Sequence, residues 1–186
     1  MHTLTTARLT LRQWLPGDLG PFAALSADPV VMEFMPALLS REQSAQFIAG
    51  AAADLERRGF GIWAVEERAS GRFAGCVGLN VPSFEAAFTP CVEILWRLAP
   101  HAWGRGFATE AARACLELGF GTLGLEEVVA FTVPRNTRSR AVMERLGMRR
   151  DALGDFAHPR LPPAHPLAPH VLYRLPRNAW RGAENL

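Results

Sequence analysis

Alternating apolar and polar residues mark the first strands of this chain. This alternation over TARLTLRQWL predicts an opening strand, and FGIWAVEE and RFAGCVGLNV predict a hairpin closed by the polar stretch ERASGR. The stretch CVEILWRLA continues the same pattern as a third strand. Antiparallel strands that follow one another along the chain form a meander, so we expect one here.

Two helices are predicted between the opening strand and the hairpin. Residues 16–18 predict the start of a short helix that runs to about Ser26. Ser40 predicts the N-cap of a second helix, in which apolar residues recur at helical spacing and which ends before Gly59. Both helices are therefore expected to cover the meander.

The second half of the chain continues as a mixture of helices and strands. The patterns predict, in order, a glycine-bearing loop and helix in HAWGRGFATEAARACLELGF, a buried strand in VVAFTV, a helix in TRSRAVMERL closed by Gly147, and a strand pair around RRDALGDF and HVLYRL. The sequence therefore predicts an α/β fold with a mixed, mostly antiparallel central sheet flanked by helices.

Composition favours one soluble domain over residues 1–186. Of the 186 residues, 49% are hydrophobic and 20% are charged, which is enough for one core without disulfides. The N-terminus alternates in polarity and no run reaches about 18 apolar residues, so we expect neither export nor a membrane span. The three cysteines are odd in number and far apart, which predicts neither a disulfide framework nor a zinc site. We therefore expect a cytoplasmic protein.

Charge argues against a nucleic-acid partner. The net charge is only +2 and the cations are scattered along the chain. All 20 cationic residues are arginine and none is lysine. Each fixed cation is therefore a planar donor suited to bidentate contact with phosphate or carboxylate.

The loop WGRGFA suggests an anion site. Glycines at a helix entrance leave main-chain N–H groups free to face an anion, which the helix dipole also favours. The alternative is a tight turn in which glycine only permits the backbone conformation. The Arg105 side chain is a candidate for a further contact with the anion. A Walker A loop is excluded because it requires lysine, and the dinucleotide fingerprint requires glycine where Thr109 stands.

Several stretches taken together resemble the GNAT superfamily of acetyl-CoA-dependent N-acetyltransferases, in particular its Rim-type branch of ribosomal-protein alanine acetyltransferases. The stretches that carry the resemblance are RLTLRQW, VEILWRLAPHAWGRGFATEA, VPRNTRSRAVMERLGMRRD and YRLPRNAW. The resemblance implies the GNAT acetyltransferase fold and transfer of acetyl from acetyl-CoA to a primary amine, by direct attack in a ternary complex. The acceptor could be a protein N-terminus or a small-molecule amine, and a homodimer is expected from the family.

The resemblance also implies which residues bind the cofactor. The family signature Gln/Arg-x-x-Gly-x-Gly/Ala binds the pyrophosphate through main-chain amides and falls here on Trp103, Gly104, Arg105, Gly106, Phe107 and Ala108. Trp103 stands where Gln or Arg is usual, which leaves the amides in place. Asn136 matches the residue that contacts the pantetheine arm. Locally, Asn136 or Thr137 is the N-cap of the helix that follows, and Asn136 can fill both roles.

Two catalytic residues are expected from the same resemblance. Glu93 matches a carboxylate that points to the reacting end of the cofactor, and we expect it to act as general base, directly or through water. The alternative for Glu93 is a solvated strand residue. Ser139 matches a serine near the sulfur. Many relatives have a tyrosine acid where Met143 stands, so the proton donor to the thiolate is Ser139, water or Tyr173.

The remaining expectations concern the substrate. The proline-rich segment 158–170 is expected to be a long loop, either a lid or a plain crossover. Its histidines, His158, His165 and His170, have no metal-site spacing and are expected to be loop residues, with His158 a candidate substrate contact. We therefore expect no metal. Specificity is expected to lie in residues 29–46 and 155–170. The alternative functions are a catalytically weak acyl-CoA sensor or partner-binding module and, less favoured, a dinucleotide oxidoreductase.

Overall fold

Residues 3–182 form eight strands and four α-helices. The computed structural model describes residues 3–182. The strands are β1 (Leu4–Thr5), β2 (Leu9–Arg12), β3 (Ile62–Glu67), β4 (Arg72–Asn80), β5 (Glu93–Leu98), β6 (Glu127–Thr132), β7 (Arg149–Ala157) and β8 (Pro169–Pro176), and the helices are α1 (Leu19–Ser26), α2 (Arg41–Arg58), α3 (Phe107–Glu117) and α4 (Thr137–Arg145). None of these helices is long and apolar enough to cross a membrane.

All the strands join in one sheet with the order β1-β2-β3-β4-β5-β6-β8-β7. Every neighbouring pair is antiparallel except β5 and β6, which run parallel. Within the described residues these two strands pair at one position, Glu93 opposite Val129, where the Val129 N–H donates to the Val92 carbonyl at 2.9 Å. The sheet is therefore almost divided between β5 and β6. The predicted mixed, mostly antiparallel sheet flanked by helices is confirmed.

Local capping signals explain the bounds of α2. The Ser40 hydroxyl accepts from the Gln43 N–H at 3.1 Å, and the Gln43 side chain accepts from the Ser40 N–H at 2.8 Å. This reciprocal pair satisfies two N–H groups at the helix start. Gly59 ends the helix with a φ of 75°, a left-handed conformation that glycine adopts without strain. The predicted helix from Ser40 to Gly59 is confirmed.

The opening strand is shorter than the predicted stretch 6–15, and a two-residue strand that was not predicted, β1, precedes it. A turn at residues 6–8, closed by the Thr6 N–H donating to the Leu9 carbonyl at 2.9 Å, separates β1 from β2. Strand β2 then ends at Arg12, because Trp14 packs edge-on against Phe22 and its indole donates to the Ile62 carbonyl at 2.8 Å. Tertiary packing has therefore overridden the alternating pattern.

The helices divide between the two faces of the sheet. On one face, Arg12 of β2 forms an ion pair with Asp18 at 2.7 Å, and Arg97 of β5 lies over the rings of Phe22 and Phe47 from α1 and α2. On the other face, α3 packs against β4 and β5. Glu93 and Arg97 are four residues apart on β5 and so project to the same face, the one covered by α1 and α2.

Candidate active site

A cavity of about 1400 Å³ opens where β5 and β6 separate. Its lining includes residues from both strands, from the glycine loop and from the start of α4. Eight of the predicted site residues contribute to it: Glu93, Trp103, Gly104, Gly106, Phe107, Ala108, Asn136 and Ser139. The structure therefore brings these residues, which lie up to 46 positions apart in the chain, to one site.

The glycine loop presents unused hydrogen-bond donors to this cavity. Within the described residues, the main-chain N–H groups of residues 104–109 have no acceptor, whereas the flanking Trp103 N–H donates to the Pro100 carbonyl at 3.1 Å and the Glu110 N–H donates to the Gly106 carbonyl at 3.0 Å. Gly104 and Gly106 have φ values of 70° and 78°. These left-handed turns deliver the chain to the first turn of α3 with its free amides at the cavity.

Arg105 is placed differently from its neighbours. Its guanidinium forms an ion pair with Glu67 and lies 4.3 Å from the centroid of the Phe107 ring, and it does not line the cavity. This pairing lowers the pKa of the Glu67 carboxyl, because the guanidinium donates to it. The Arg105 side chain therefore braces the loop from outside, which leaves only its main-chain N–H to face an anion.

Glu93 is buried at the point where β5 and β6 touch. Its exposed fraction is 9%, and its Oε2 atom accepts from the Asn80 side-chain amide at 3.2 Å. Burial raises the pKa of this carboxyl to about 7, and the Asn80 hydrogen bond opposes the shift only in part. The alternative of a solvated strand residue does not describe Glu93. A carboxyl that titrates near neutrality beside a cavity has the properties of a general base.

The start of α4 brings two polar side chains to the cavity. The Asn136 Oδ1 atom accepts from the Ser139 N–H at 3.1 Å, and its amide donates to the Thr132 hydroxyl at 3.0 Å. Asn136 is therefore the N-cap of α4, as its local sequence indicated. The Ser139 hydroxyl lines the cavity and has no hydrogen-bond partner among residues 3–182.

Tyr173 and Met143 occupy different surroundings. The Tyr173 hydroxyl donates to Glu144 at 3.1 Å and accepts from Arg140 at 3.2 Å, and the residue does not line the cavity. Arg140 is thereby held at β8. Met143 lines the cavity but carries no acidic proton. Of the proton donors that the sequence left open, this geometry disfavours Tyr173 and retains Ser139 and water.

A set of rings near Glu93 was not predicted, apart from His158 as a candidate substrate contact. Four of the rings that line the cavity form this set, here called the aromatic wall: those of Phe84, Phe131, His158 and His170. The wall is closely packed, since the centroids of Phe84 and His158 are 4.8 Å apart and those of Phe131 and His170 are 6.0 Å apart. Burial lowers the pKa of both histidines. The four residues of the wall lie in the β4–β5 connection, β6, the start of the 158–168 loop and β8. No local sequence pattern therefore predicts that their rings come together.

The two segments expected to set specificity both reach the cavity. Val31, Phe34 and Met35 line it from the α1–α2 connection, and Leu161 and Leu167 line it from the 158–168 loop. The loop contains several tight turns, one of them closed by the Leu161 N–H donating to the His158 carbonyl at 3.0 Å. His165 is occupied locally, since its Nδ1 atom accepts from the Leu167 N–H at 3.1 Å. Across residues 3–182, His, Cys, Asp and Glu side chains form no group suited to a metal ion.

Comparison with known proteins identifies the domain. The family described as "Acetyltransferase (GNAT) domain" matches residues 8–149. An uncharacterized N-acetyltransferase of Bacillus subtilis, YnaD, is 28% identical over 81% of this chain and 84% of its own length. The crystal structure of an acetyltransferase from Agrobacterium tumefaciens is 28% identical, covers 94% of both chains and has a TM-score of 0.75. A structure assigned to a ribosomal-protein-serine acetyltransferase of Vibrio cholerae, 19% identical over 94% of this chain and 97% of that one with a TM-score of 0.71, shares the fold.

Proposed function

This chain belongs to the GNAT acetyltransferase family and is an acyltransferase, and we propose that it moves the acetyl group of acetyl-CoA to a primary amine by direct attack in a ternary complex. The acceptor is a protein N-terminus or a small-molecule amine. The observation that carries the proposal is the set of free main-chain N–H groups at residues 104–109. Six adjacent donors at a helix start, beside a cavity large enough for a long cofactor, fit a pyrophosphate group.

Residues of this chain would divide the work of binding. The amides of Gly104 to Ala108 and the dipole of α3 would hold the pyrophosphate, with Trp103 at the edge of the loop. Asn136 would contact the pantetheine arm from the start of α4, through the amide hydrogen that its bond to Thr132 leaves free. The two halves of the sheet would thus hold opposite sides of one ligand.

Glu93 and Ser139 would manage the protons. Bound acetyl-CoA supplies an activated acyl group, whose C–S bond breaks as the amide C–N bond forms. The Glu93 carboxylate would take the proton that the attacking amine loses, and its raised pKa makes it a stronger base than an ordinary glutamate. The Ser139 hydroxyl, or water beside it, would donate a proton to the departing sulfur, whose thiol has a pKa of about 8.5 in its free form.

A second candidate is an acyl-CoA sensor that binds the cofactor without turnover. Met143 occupies the position of the family's tyrosine acid, and the Tyr173 hydroxyl is bonded to Glu144 and Arg140. These features favour slow acetyl transfer, but they do not affect the glycine loop that would bind the cofactor. Binding and turnover therefore have to be measured separately.

The experiment compares Gly106→Pro with Gly147→Pro. Both glycines have a left-handed φ, 78° and 81°, so proline strains the backbone similarly at each. Of these two glycines, only Gly106 offers a free N–H to the cavity, since the Gly147 N–H donates to the Glu144 carbonyl at 3.0 Å. Acetyl-CoA at about 100 times its Kd should stabilise the wild type by roughly 2.7 kcal/mol and so raise its melting temperature. We expect Gly106→Pro to lose this shift and Gly147→Pro, though less stable, to keep it.

Release of free CoA over a panel of amines then separates the two candidates. Release with any amine supports the transferase, and cofactor binding without release across peptides, amino acids and amine drugs supports the sensor. If no acyl-CoA shifts the wild-type melting temperature, both candidates fail.

A further inference from the structure

The acceptor end of the cavity is built for one kind of amine. We propose that the acceptor is a monoamine that carries an apolar or aromatic group, and that the aromatic wall binds this group beside Glu93. The inference rests on the proposed function and adds the substrate class to it. It excludes polyamines and other amines with several positive charges.

The aromatic wall lies at the Glu93 end of the cavity and not at the glycine loop. Glu93 pairs with Val129 of β6, and Phe131 follows two residues later on the same face of that strand, about 7 Å away. His170 of β8 and Phe84 pack on Phe131, with centroid distances of 6.0 and 5.8 Å. An amine that approaches Glu93 along this face therefore places its substituent against these rings.

The wall is held in position without a ligand. Phe156 packs behind it, with its centroid 5.5 Å from that of Phe131, and Phe88 packs on Phe156 at 4.8 Å. The Arg160 guanidinium donates to the Ser83 hydroxyl and so links the 158–168 loop to the β4–β5 connection. Rings that are already fixed lose little conformational freedom when a substrate group packs on them, which favours binding of a flat apolar group.

The charges in the cavity disfavour an acceptor with several ammonium groups. Two carboxylates line the cavity, Glu93 and Glu110, and Glu110 is already bonded to Arg8 at 2.6 Å and to the Thr6 hydroxyl at 2.6 Å. Glu93 is therefore the one lining carboxylate, within the described residues, that has no cationic partner. Five arginines line the cavity, and Arg138 alone among them is paired with a described carboxylate, Glu33. A second ammonium group would therefore meet the unpaired cations Arg97, Arg113, Arg145 and Arg160 instead of counter-charges.

The test uses matched acceptors and two matched variants. Initial rates are measured by CoA release with phenylalaninamide, leucinamide, glycinamide and spermidine. Phe84→Ala removes a ring of the wall, and Phe88→Ala is the control, because Phe88 lies in the same connection and packs on Phe84 at 6.4 Å without lining the cavity. We expect wild-type kcat/KM to be roughly tenfold or more higher for phenylalaninamide than for glycinamide, and lowest for spermidine.

The two variants test whether the aromatic wall causes the preference for phenylalaninamide over glycinamide. Phe84→Ala should reduce the ratio of phenylalaninamide to glycinamide by at least about threefold, and Phe88→Ala, which removes a supporting ring that does not line the cavity, should reduce that ratio less. The KM for acetyl-CoA should change in neither variant. If Phe84→Ala does not fold, Phe84→Leu replaces it, and calorimetry of N-acetylphenylalaninamide binding to the protein without cofactor provides a second readout.

The outcomes separate this inference from the proposed function. Turnover that is equal for phenylalaninamide and glycinamide, or highest with spermidine, would overturn the inference and leave the transferase standing. A preference that both phenylalanine variants lose equally would also overturn it, because the wall would then act only through stability. Absence of turnover with every amine would remove the transferase and this inference together.

Discussion

At the scale of the residue, Glu93 combines burial with a proposed chemical task that requires its charge. The carboxylate form is the proposed base, and its fraction rises as the pH passes the pKa of about 7. We expect the wild-type rate to rise through this range. Glu93→Gln should lose roughly 100-fold or more near pH 7 and less at alkaline pH, where free amine is plentiful. Rates from pH 6 to 10 test this, and parallel profiles for the two proteins would remove Glu93 as base.

Burial of Glu93 should also lower the free energy of unfolding at neutral and alkaline pH. Its folded pKa of about 7 lies above the 4.5 of an unperturbed glutamate, so between these values the folded state binds the extra proton. The free energy of unfolding therefore falls as the pH rises from about 4.5 to 7 and stays lower above that range. Glu93→Gln should be more stable than the wild type by roughly 1–3 kcal/mol at pH 8, and nearly equal to it at pH 4.5. Denaturant unfolding at both pH values measures this, with the exposed Glu56→Gln as control.

At the scale of the element, local signals explain the helices better than the strands. The ends of α2 are defined by residues in or next to the helix, namely Ser40, Gln43 and Gly59. The sequence was therefore sufficient to predict its bounds. The opening strand was predicted too long, because residues 6–8 form a turn and Trp14 leaves the sheet to contact Phe22, which no alternation can show. The glycine loop could be predicted because Gly104 and Gly106 lie two positions apart in one short stretch of the sequence. The aromatic wall could not, because four distant segments build it.

Gly50 in α2 and Gly78 in β4 should respond in opposite ways to replacement by alanine. Gly50 lies inside α2 with no atom within 4 Å of the place where a Cβ would stand, so Gly50→Ala should stabilise the protein by roughly 0.5–1 kcal/mol. In β4, a Cβ at Gly78 would lie 2.1 Å from the Gly61 carbonyl oxygen, so Gly78→Ala should destabilise it strongly. Thermal unfolding compares the two variants. Similar melting temperatures would contradict the close approach of β3 and β4.

At the scale of the whole molecule, β5 and β6 share only one backbone pairing among residues 3–182, which divides the sheet into two halves, β1–β5 and β6–β8. A ligand that contacts the glycine loop in one half and α4 in the other should suppress openings that separate them. Hydrogen exchange should therefore slow in residues 104–109 and at the start of α4 when acetyl-CoA binds. The Glu110 amide, already bonded to Gly106, is an internal reference. If acetyl-CoA slowed exchange only in residues 104–109 and not in α4, the ligand would not link the two halves of the sheet.

The free amides of residues 104–109 also bear on how the proposed reaction ends. A pyrophosphate group is present in acetyl-CoA and remains in CoA after transfer, so under the proposed function these donors would hold acetyl-CoA and the product CoA equally well. Binding energy of this uniform kind does not favour departure of the product. We therefore expect product inhibition: CoA should compete with acetyl-CoA, and turnover should follow the ratio of the two in the surrounding solution.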